Sequence, residues 1–348
     1  MNQTLNGIRR ILITILVAMG VGALFIIAIG ENPIDAYAAL FRGAFDGKLR
    51  LGTTLAGFTP LLLTSIAFAI AAKAGAFNVG VEGEVFLGGI TAAYIGINWT
   101  FLPKPALYVA CFVGAMVVAA AWAFIPAVLR AYYNVNEVCT TILMNTVALY
   151  ITSYLVSGPM SAGTANAQSL PVTVRLYQFM KPSSVNVGIF IAAITVIVII
   201  FMLQKSSWGY KIRTVGLNPT HADYVGIDSK KVFIGAMMLS GMLGGMAGCI
   251  EVLGVHGYFL NNFATGLGSN GMLAALIVKN NMVSTPFMAF FLAVLKSGAM
   301  GMQQSTGVPK SLVDTITAVF IIIATMETAF QFTKKRKKQT EEKKEDKA

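Results

Sequence analysis

Apolar residues along this chain gather into runs separated by short polar or basic stretches. A helix rising 1.5 Å per residue needs about 20 residues to cross a bilayer core of about 30 Å, and most of these runs have that length. They predict an all-α, polytopic membrane protein with about ten transmembrane elements, at residues 11–29, 55–72, 74–97, 106–129, 136–156, 187–203, 232–255, 271–278 together with the residues before it, 286–302 and 312–332. Residues 31–50 carry Tyr37, Leu40, Phe41 and Phe45 at helical spacing, with Arg42 and Asp46 between them, and predict an interfacial amphipathic helix. Residues 11–29 are too long for a signal-peptide core and lack a small-x-small cleavage site, so they predict a retained helix. Residues 157–186 and 204–231 read as hydrophilic loops.

One element breaks the pattern. Residues 74–89 carry Asn78, Glu82 and Glu84 and are punctuated by Gly75, Gly80 and Gly83. An acid near the bilayer centre costs about 2.5–3.5 kcal/mol on insertion scales, so such a stretch belongs where it is buried in protein or lines a wet cavity. The motif Gly80, Val81, Glu82, Gly83 has an echo at Gly268, Ser269, Asn270, Gly271, in an apolar run too short to span alone. The two lie five elements apart, which predicts an inverted repeat with broken helices in matching positions, a pointer to a central pathway. The candidate path residues are Phe77, for stacking on a ring; Asn78, Asn145 and Asn270, as uncharged hydrogen-bonding amides; and Glu82, as a path or gating acid. Residues 232–255 contain two overlapping GxxxG pairs, Gly241 with Gly245 and Gly244 with Gly248, the pattern of closely packed membrane helices.

Composition narrows the class. The chain has 348 residues, of which 56% are hydrophobic and 12% charged, and its mean hydropathy is +0.70; soluble domains carry about 25% charged residues. The formal charge of +11 suggests no nucleic acid partner, because basic residues hold membrane loops on the cytoplasmic side. Ten crossings place both termini on one side, and the distribution of Lys and Arg makes that side cytoplasmic. Residues 1–332 then form the transmembrane domain, and residues 333–348 a charged tail expected to be disordered. Cys111, Cys139 and Cys249 lie singly in apolar segments and predict no disulfide or metal site. Residues 43–48 imitate a phosphate loop but are one residue short, with Leu49 where Ser or Thr is required. His221 and His256 have no ligand partner at useful spacing, and no nucleophile sits beside a base. The expectation is no catalytic residue, no metal and no cofactor in this chain.

Within residues 205–231, Asn218 before Pro219 is a helix start, predicting a short helix through Tyr224 that stops near Gly226. Trp208, Gly209 and Arg213, then Gly216, Leu217, Asn218, Pro219, then Ala222, Asp223, Tyr224, Val225, Gly226 and Ile227 resemble the coupling-loop signature of ABC importer permeases of the branched-chain amino acid and ribose type. Residues 77–83, with Asn134, Val135, Asn136, Glu137, Val138 and Asn145, resemble its nucleoside and simple-sugar branch. The similarity runs from about residue 31 to residue 332, and His221 departs from a position usually held by a small residue. The resemblance implies a bacterial inner-membrane permease for a nucleoside or simple sugar. It implies a second permease subunit, identical or not, an extracytoplasmic binding lipoprotein, and a cytoplasmic ABC ATPase that holds ATP and Mg. Arg213, Gly216, Asn218, Pro219, His221, Ala222, Tyr224 and Gly226 would meet that ATPase. The residues alone also fit an ion-coupled secondary transporter of a small polar solute.

Overall fold

The computed structural model describes residues 19–28 and 30–307, with 311, 314, 315 and 318. The regular secondary structure of the described residues is helical, with isolated bridges in the connections. The helices are α1 (Met19–Ala28), α2 (Pro33–Phe45), α3 (Gly47–Lys73), α4 (Val81–Asn98), α5 (Lys104–Tyr133), α6 (Glu137–Ser157), α7 (Gly188–Lys205), α8 (Ser207–Leu217), α9 (Pro219–Tyr224), α10 (Ser229–Ile250), α11 (Leu267–Ile277) and α12 (Thr285–Thr306). A π-helical turn, Glu251–His256, continues α10. Six of these are long and apolar enough to cross a membrane: α3, α5, α6, α7, α10 with its π turn, and α12; α1 and α2 form a bent pair that makes a seventh if it is one span. The six correspond to the second, fourth, fifth, sixth, seventh and ninth predicted runs. The expected run at 312–332 and the tail at 333–348 lie almost wholly outside the described residues, as does the first part of the run at 11–29, residues 11–18.

Residues 46–294 form one compact unit. At its centre α10 lies between α4 and α5, and glycine makes this possible. A Cβ on Gly241 would fall 2.6 Å from the Ala119 carbonyl oxygen of α5, and one on Gly245 would strike the Ala115 carbonyl. A turn away, a Cβ on Gly244 would sit 2.8 Å from Glu84 Cβ of α4, and one on Gly248 would strike the Val85 carbonyl. The two GxxxG pairs therefore serve two different neighbours. Membrane helices gain little hydrophobic drive from one another, so this backbone proximity supplies the dispersion that holds them. By contrast, α7 turns Phe190, Ile194, Ile197, Val198 and Phe201 outward, a lipid-compatible face.

Two of the expected loops are more ordered than the sequence suggested. Residues 157–187 run as a strap beside the π turn and the residues after it. Leu176 N donates to Leu253 O at 2.9 Å, Val172 N to Gly257 O at 2.9 Å and Ser169 N to Phe259 O at 2.9 Å, while Val172, Val174 and Val185 are buried beneath. Residues 204–231 hold two helices, α8 and α9, where one short helix was expected. The expected amphipathic helix at 31–50 is also divided: α2 stops at Phe45, and Lys48 and Arg50 belong to α3.

The described residues up to Phe45 and from Leu295 form a second unit. Its core joins Ile26, Ala36, Ala39 and Leu40 to Ala299 and Met302. A Cβ on Gly43 would come 2.7 Å from Gly301 Cα, so α2 and the end of α12 also meet backbone to backbone.

Candidate functional site

The chain between α3 and α4 turns at residues 74–80, so α4 starts inside the fold rather than at its edge. A helix start leaves backbone N–H groups without intrahelical partners. Two asparagines supply them. Asn78 Oδ1 accepts from Gly80 N at 2.9 Å, and Asn145 Oδ1, from α6, accepts from Gly83 N at 2.8 Å. Asn145 Nδ2 also donates to Val79 O at 2.9 Å, so one amide staples both sides of the break.

Asn78 is fully buried and its donor side is equally committed. Nδ2 donates to Glu84 Oε1 at 2.9 Å and to Ser240 Oγ of α10 at 2.9 Å. Glu84 is itself buried, and its Oε2 has no hydrogen-bond partner among the described residues.

The echo motif arrives at the same place. α11 starts at Leu267, and a Cβ on Gly268 would fall 2.5 Å from Glu82 N, so only glycine lets the two helix starts touch. Ser269 Oγ donates to Glu82 Oε2 at 3.2 Å. On its other side the first turn of α11 presses on α3: Thr64 Oγ1 donates to Leu267 O at 3.2 Å, and a Cβ on Gly271 would fall 2.8 Å from Ser65 N. Two helix N-termini, each with a positive dipole end, thus converge on the half-buried Glu82 carboxylate.

Of the five residues expected along a path, the structure brings Glu82 to this junction and places Asn145 directly beside it. Asn78 points away from it, into the α4–α10 interface. Asn270 Nδ2 donates back to Gly266 O within its own turn. Phe77 packs edge-on to Phe68, with ring centroids 4.9 Å apart. Ser269, Ser240 and Thr64 were missed. Ser269 lies within the echo and was findable there, whereas Ser240 and Thr64 are ordinary hydroxyls in apolar helices.

A second polar cluster sits at the π turn. Glu251 Oε2 lies 3.7 Å from His256 Nε2, and π geometry loosens the carbonyls around them. The strap satisfies these: Gln178 Nε2 donates to Gly254 O at 2.9 Å and Arg175 Nη2 to His256 O at 3.1 Å.

The third cluster is the α8–α9 segment. Asn218 Oδ1 accepts from His221 N at 3.0 Å, Pro219 opens the helix, Ala222 is its buried anchor, and Gly226 takes φ +82° just beyond it. Tyr224 is 86% exposed and Leu217 88%, with His221 also exposed, so α9 presents an outward knob. Asp223 ties that knob to α10, accepting from Ser229 N at 3.0 Å and Ser229 Oγ at 2.9 Å. Asp228 caps α10, and the Lys231 backbone N–H and ammonium hold its carboxyl below the usual range. Gly216 and Arg213 tie the segment to earlier helices: a Cβ on Gly216 would strike the Lys73 carbonyl, and Arg213 Nη1 donates to Leu203 O.

Membrane-length helices around two helices whose N-termini meet through polar groups fit a multi-pass membrane transport protein. Residues 50–325 match the family described as the permease component of the branched-chain amino acid transport system, and the chain belongs to that family. It is a permease component and not itself an ATPase, which removes the ion-coupled secondary transporter. It is similar to the guanosine ABC transporter permease protein NupP of Bacillus subtilis, with 33% identity over 330 residues, 92% of this chain and 94% of that one. It is 30% identical to the nucleoside ABC transporter permease protein NupB of Lactococcus lactis over 335 residues, 92% of this chain and 91% of that one. It is 32% identical to the glucose ABC transporter permease protein TsgB13 of Haloferax volcanii over 323 residues, 89% of this chain and 85% of that one.

Proposed function

We propose that this permease carries a nucleoside inward across a bacterial cell membrane, and that the substrate passes the junction of α4 and α11. Similarity along nine-tenths of the chain to relatives named for guanosine and for nucleosides carries the substrate class. A simple sugar is the second reading, favoured by the likeness to a glucose permease. Glu82, Ser269 and Asn145 supply carboxylate, hydroxyl and amide groups at one place, a set suited to ribose hydroxyls and base edges. Phe77, Asn78 and Asn270 support the path: Asn78 by holding the α4 break in shape, Asn270 by closing the first turn of α11, and Phe77 by packing on α3. The finer topology is ten crossings, with α4 and α11 as matching elements of an inverted repeat, both termini cytoplasmic and residues 333–348 a charged tail.

In the same reading α9 seats in a groove of a separate ABC ATPase, which holds ATP and Mg. His221 and Tyr224 supply the contact; Asn218, Pro219, Ala222 and Gly226 set the helix; Arg213 and Gly216 fix its base. Closure of the ATPase biases the permease only through contacts that differ between its two states. Asp223 carries the push to α10, and Ser240 and Asn78 carry it on to α4. A second permease subunit, a binding lipoprotein and surrounding lipid complete the assembly.

The test is uptake of labelled nucleoside by cells expressing the whole complex. Excess unlabelled nucleoside should compete, and excess monosaccharide should not. Competition by monosaccharide alone selects the second reading, and competition by neither overturns both. In the same cells His221→Glu/Tyr224→Glu should insert normally and lose uptake; unchanged uptake removes the docking role of α9.

A further inference from the structure

We propose that the pocket where α7 ends is a binding site for an anionic phospholipid, with the phosphodiester among Lys205, Lys211 and Arg213 and the acyl chains along the outer face of α7. The cavity has a volume of about 530 Å³ and is lined by those three cations, with Gln204, Ser207 and Tyr210 offering polar groups. No carboxylate lines it. None of the three cations forms an ion pair among the described residues. The two acids of the neighbouring segment are engaged elsewhere, Asp223 by Ser229 and Asp228 by Lys231 at 3.0 Å. The N-terminus of α8 adds its positive end to the same wall: Ser206 caps it through Gly209 N, while Ser207, the first residue of α8, lines the pocket.

What selects a lipid over other anions is continuity. Phe190, Ile194, Ile197, Val198 and Phe201 form one exposed apolar stripe down α7, and the stripe runs into Gln204 and Lys205 at the pocket mouth. A lipid lying against that stripe brings its headgroup to the pocket, where lysine stems can stay in apolar surroundings and lift their charge to the phosphate. Inorganic phosphate or a partner protein's carboxylate would use the cations but not the stripe. Val225 and Ile227 close the far wall immediately after α9. An occupied pocket therefore splints α9 to α7. That consequence rests on the docking role of α9, whereas binding itself does not.

The test is native mass spectrometry of the full chain in detergent, offered phosphatidylglycerol or phosphatidylcholine. The wild type should retain one phosphatidylglycerol per chain and prefer it to phosphatidylcholine. Lys205→Gln/Lys211→Gln should reduce retention by about tenfold or more, since each basic residue near a charged headgroup contributes substantially. Lys205→Arg/Lys211→Arg should restore it, which separates lost charge from lost folding. Lys104→Gln/Lys181→Gln, elsewhere on the surface, should change nothing. Equal retention by the Gln variant, or equal retention of phosphatidylcholine, overturns the site. So does displacement of the lipid by millimolar inorganic phosphate, which would make it a free-phosphate site. Cross-linking of Lys211 to a partner subunit in the assembled complex, with no lipid retained, would make it a protein contact and overturns it too.

Discussion

At the scale of single residues, Asn78 carries more of the structure than any acid near it. Its amide makes three hydrogen bonds in a fully buried position, to Gly80, Glu84 and Ser240. Removing it strands a backbone N–H, a hydroxyl and a carboxylate oxygen at once. Each buried group left unpaired costs about 1–3 kcal/mol, more when charged. Asn78→Ala should therefore lower the apparent melting temperature in detergent by at least about 5 °C. Glu84→Gln should behave differently. Its carbonyl can still accept from Asn78, and it removes a buried carboxylate with one unpartnered oxygen. Its new NH2 is the one group left unpaired, so its melting temperature should fall by far less than that of Asn78→Ala. A melting-temperature loss with Glu84→Gln as large as that with Asn78→Ala would mean the carboxylate is needed in its charged form. Glu84 was visible in the sequence as an acid in a gapped span, but only Glu82 was singled out there, through the echoed motif, and nothing showed that Glu84 is the one held by Asn78. The difference comes from Ser240, 162 positions from Asn78, and from Ser269, 187 positions from Glu82.

At the scale of elements, close backbone contact rather than side-chain volume sets the helix positions. A Cβ on Gly248 would strike the Val85 carbonyl, and both helices are held by further contacts of the same kind. Gly248→Ala must part α10 from α4 and should cost about 1–3 kcal/mol or more, read as a lower melting temperature and less monodisperse protein. Gly57 in α3 is the control. A Cβ there meets nothing within 4 Å, so Gly57→Ala should be neutral or stabilise by about 0.5–1 kcal/mol. Equal effects at the two sites would show that helix propensity, not packing, decides. Much of this level was legible. The crossing helices follow from bilayer thickness, the α4 break from Gly80 and Gly83, and α9 from Asn218 and Pro219. Which neighbour each GxxxG pair would meet was not legible, because a glycine records only that something comes close. Nor was α8, whose two glycines and basic residues give a weak helical signal, although Ser206 caps it and Arg213 ties it to α7. The strap escaped notice because its hydrogen bonds go to carbonyls loosened by a π turn that no local pattern announces.

At the scale of the whole molecule, one helix separates the two ordered excursions. The strap ends at Val187, α7 follows with 18 residues, and α8 begins two residues after its end at Lys205. Eighteen helical residues rise about 27 Å, one crossing and no more. If α7 crosses once, the strap and α9 are expected on opposite sides of the membrane. α6 requires the same arrangement from the other direction: it starts at Glu137, paired with Arg130 at 3.2 Å, and runs 21 residues to Ser157, where the strap begins. Arg130, Lys205 and Lys211 then fall at one surface and Arg175 and Lys181 at the other, and the positive-inside rule predicts that the α9 surface is the cytoplasmic one. Single-cysteine labelling checks this in a Cys139→Ala background, since Cys139 is exposed while Cys111 and Cys249 are buried. Thr164→Cys in the strap should react with a membrane-impermeant maleimide on intact cells, and His221→Cys in α9 only after permeabilisation. Labelling of both from outside would mean that α7 does not cross the bilayer, and the docking role of α9 would fall with it.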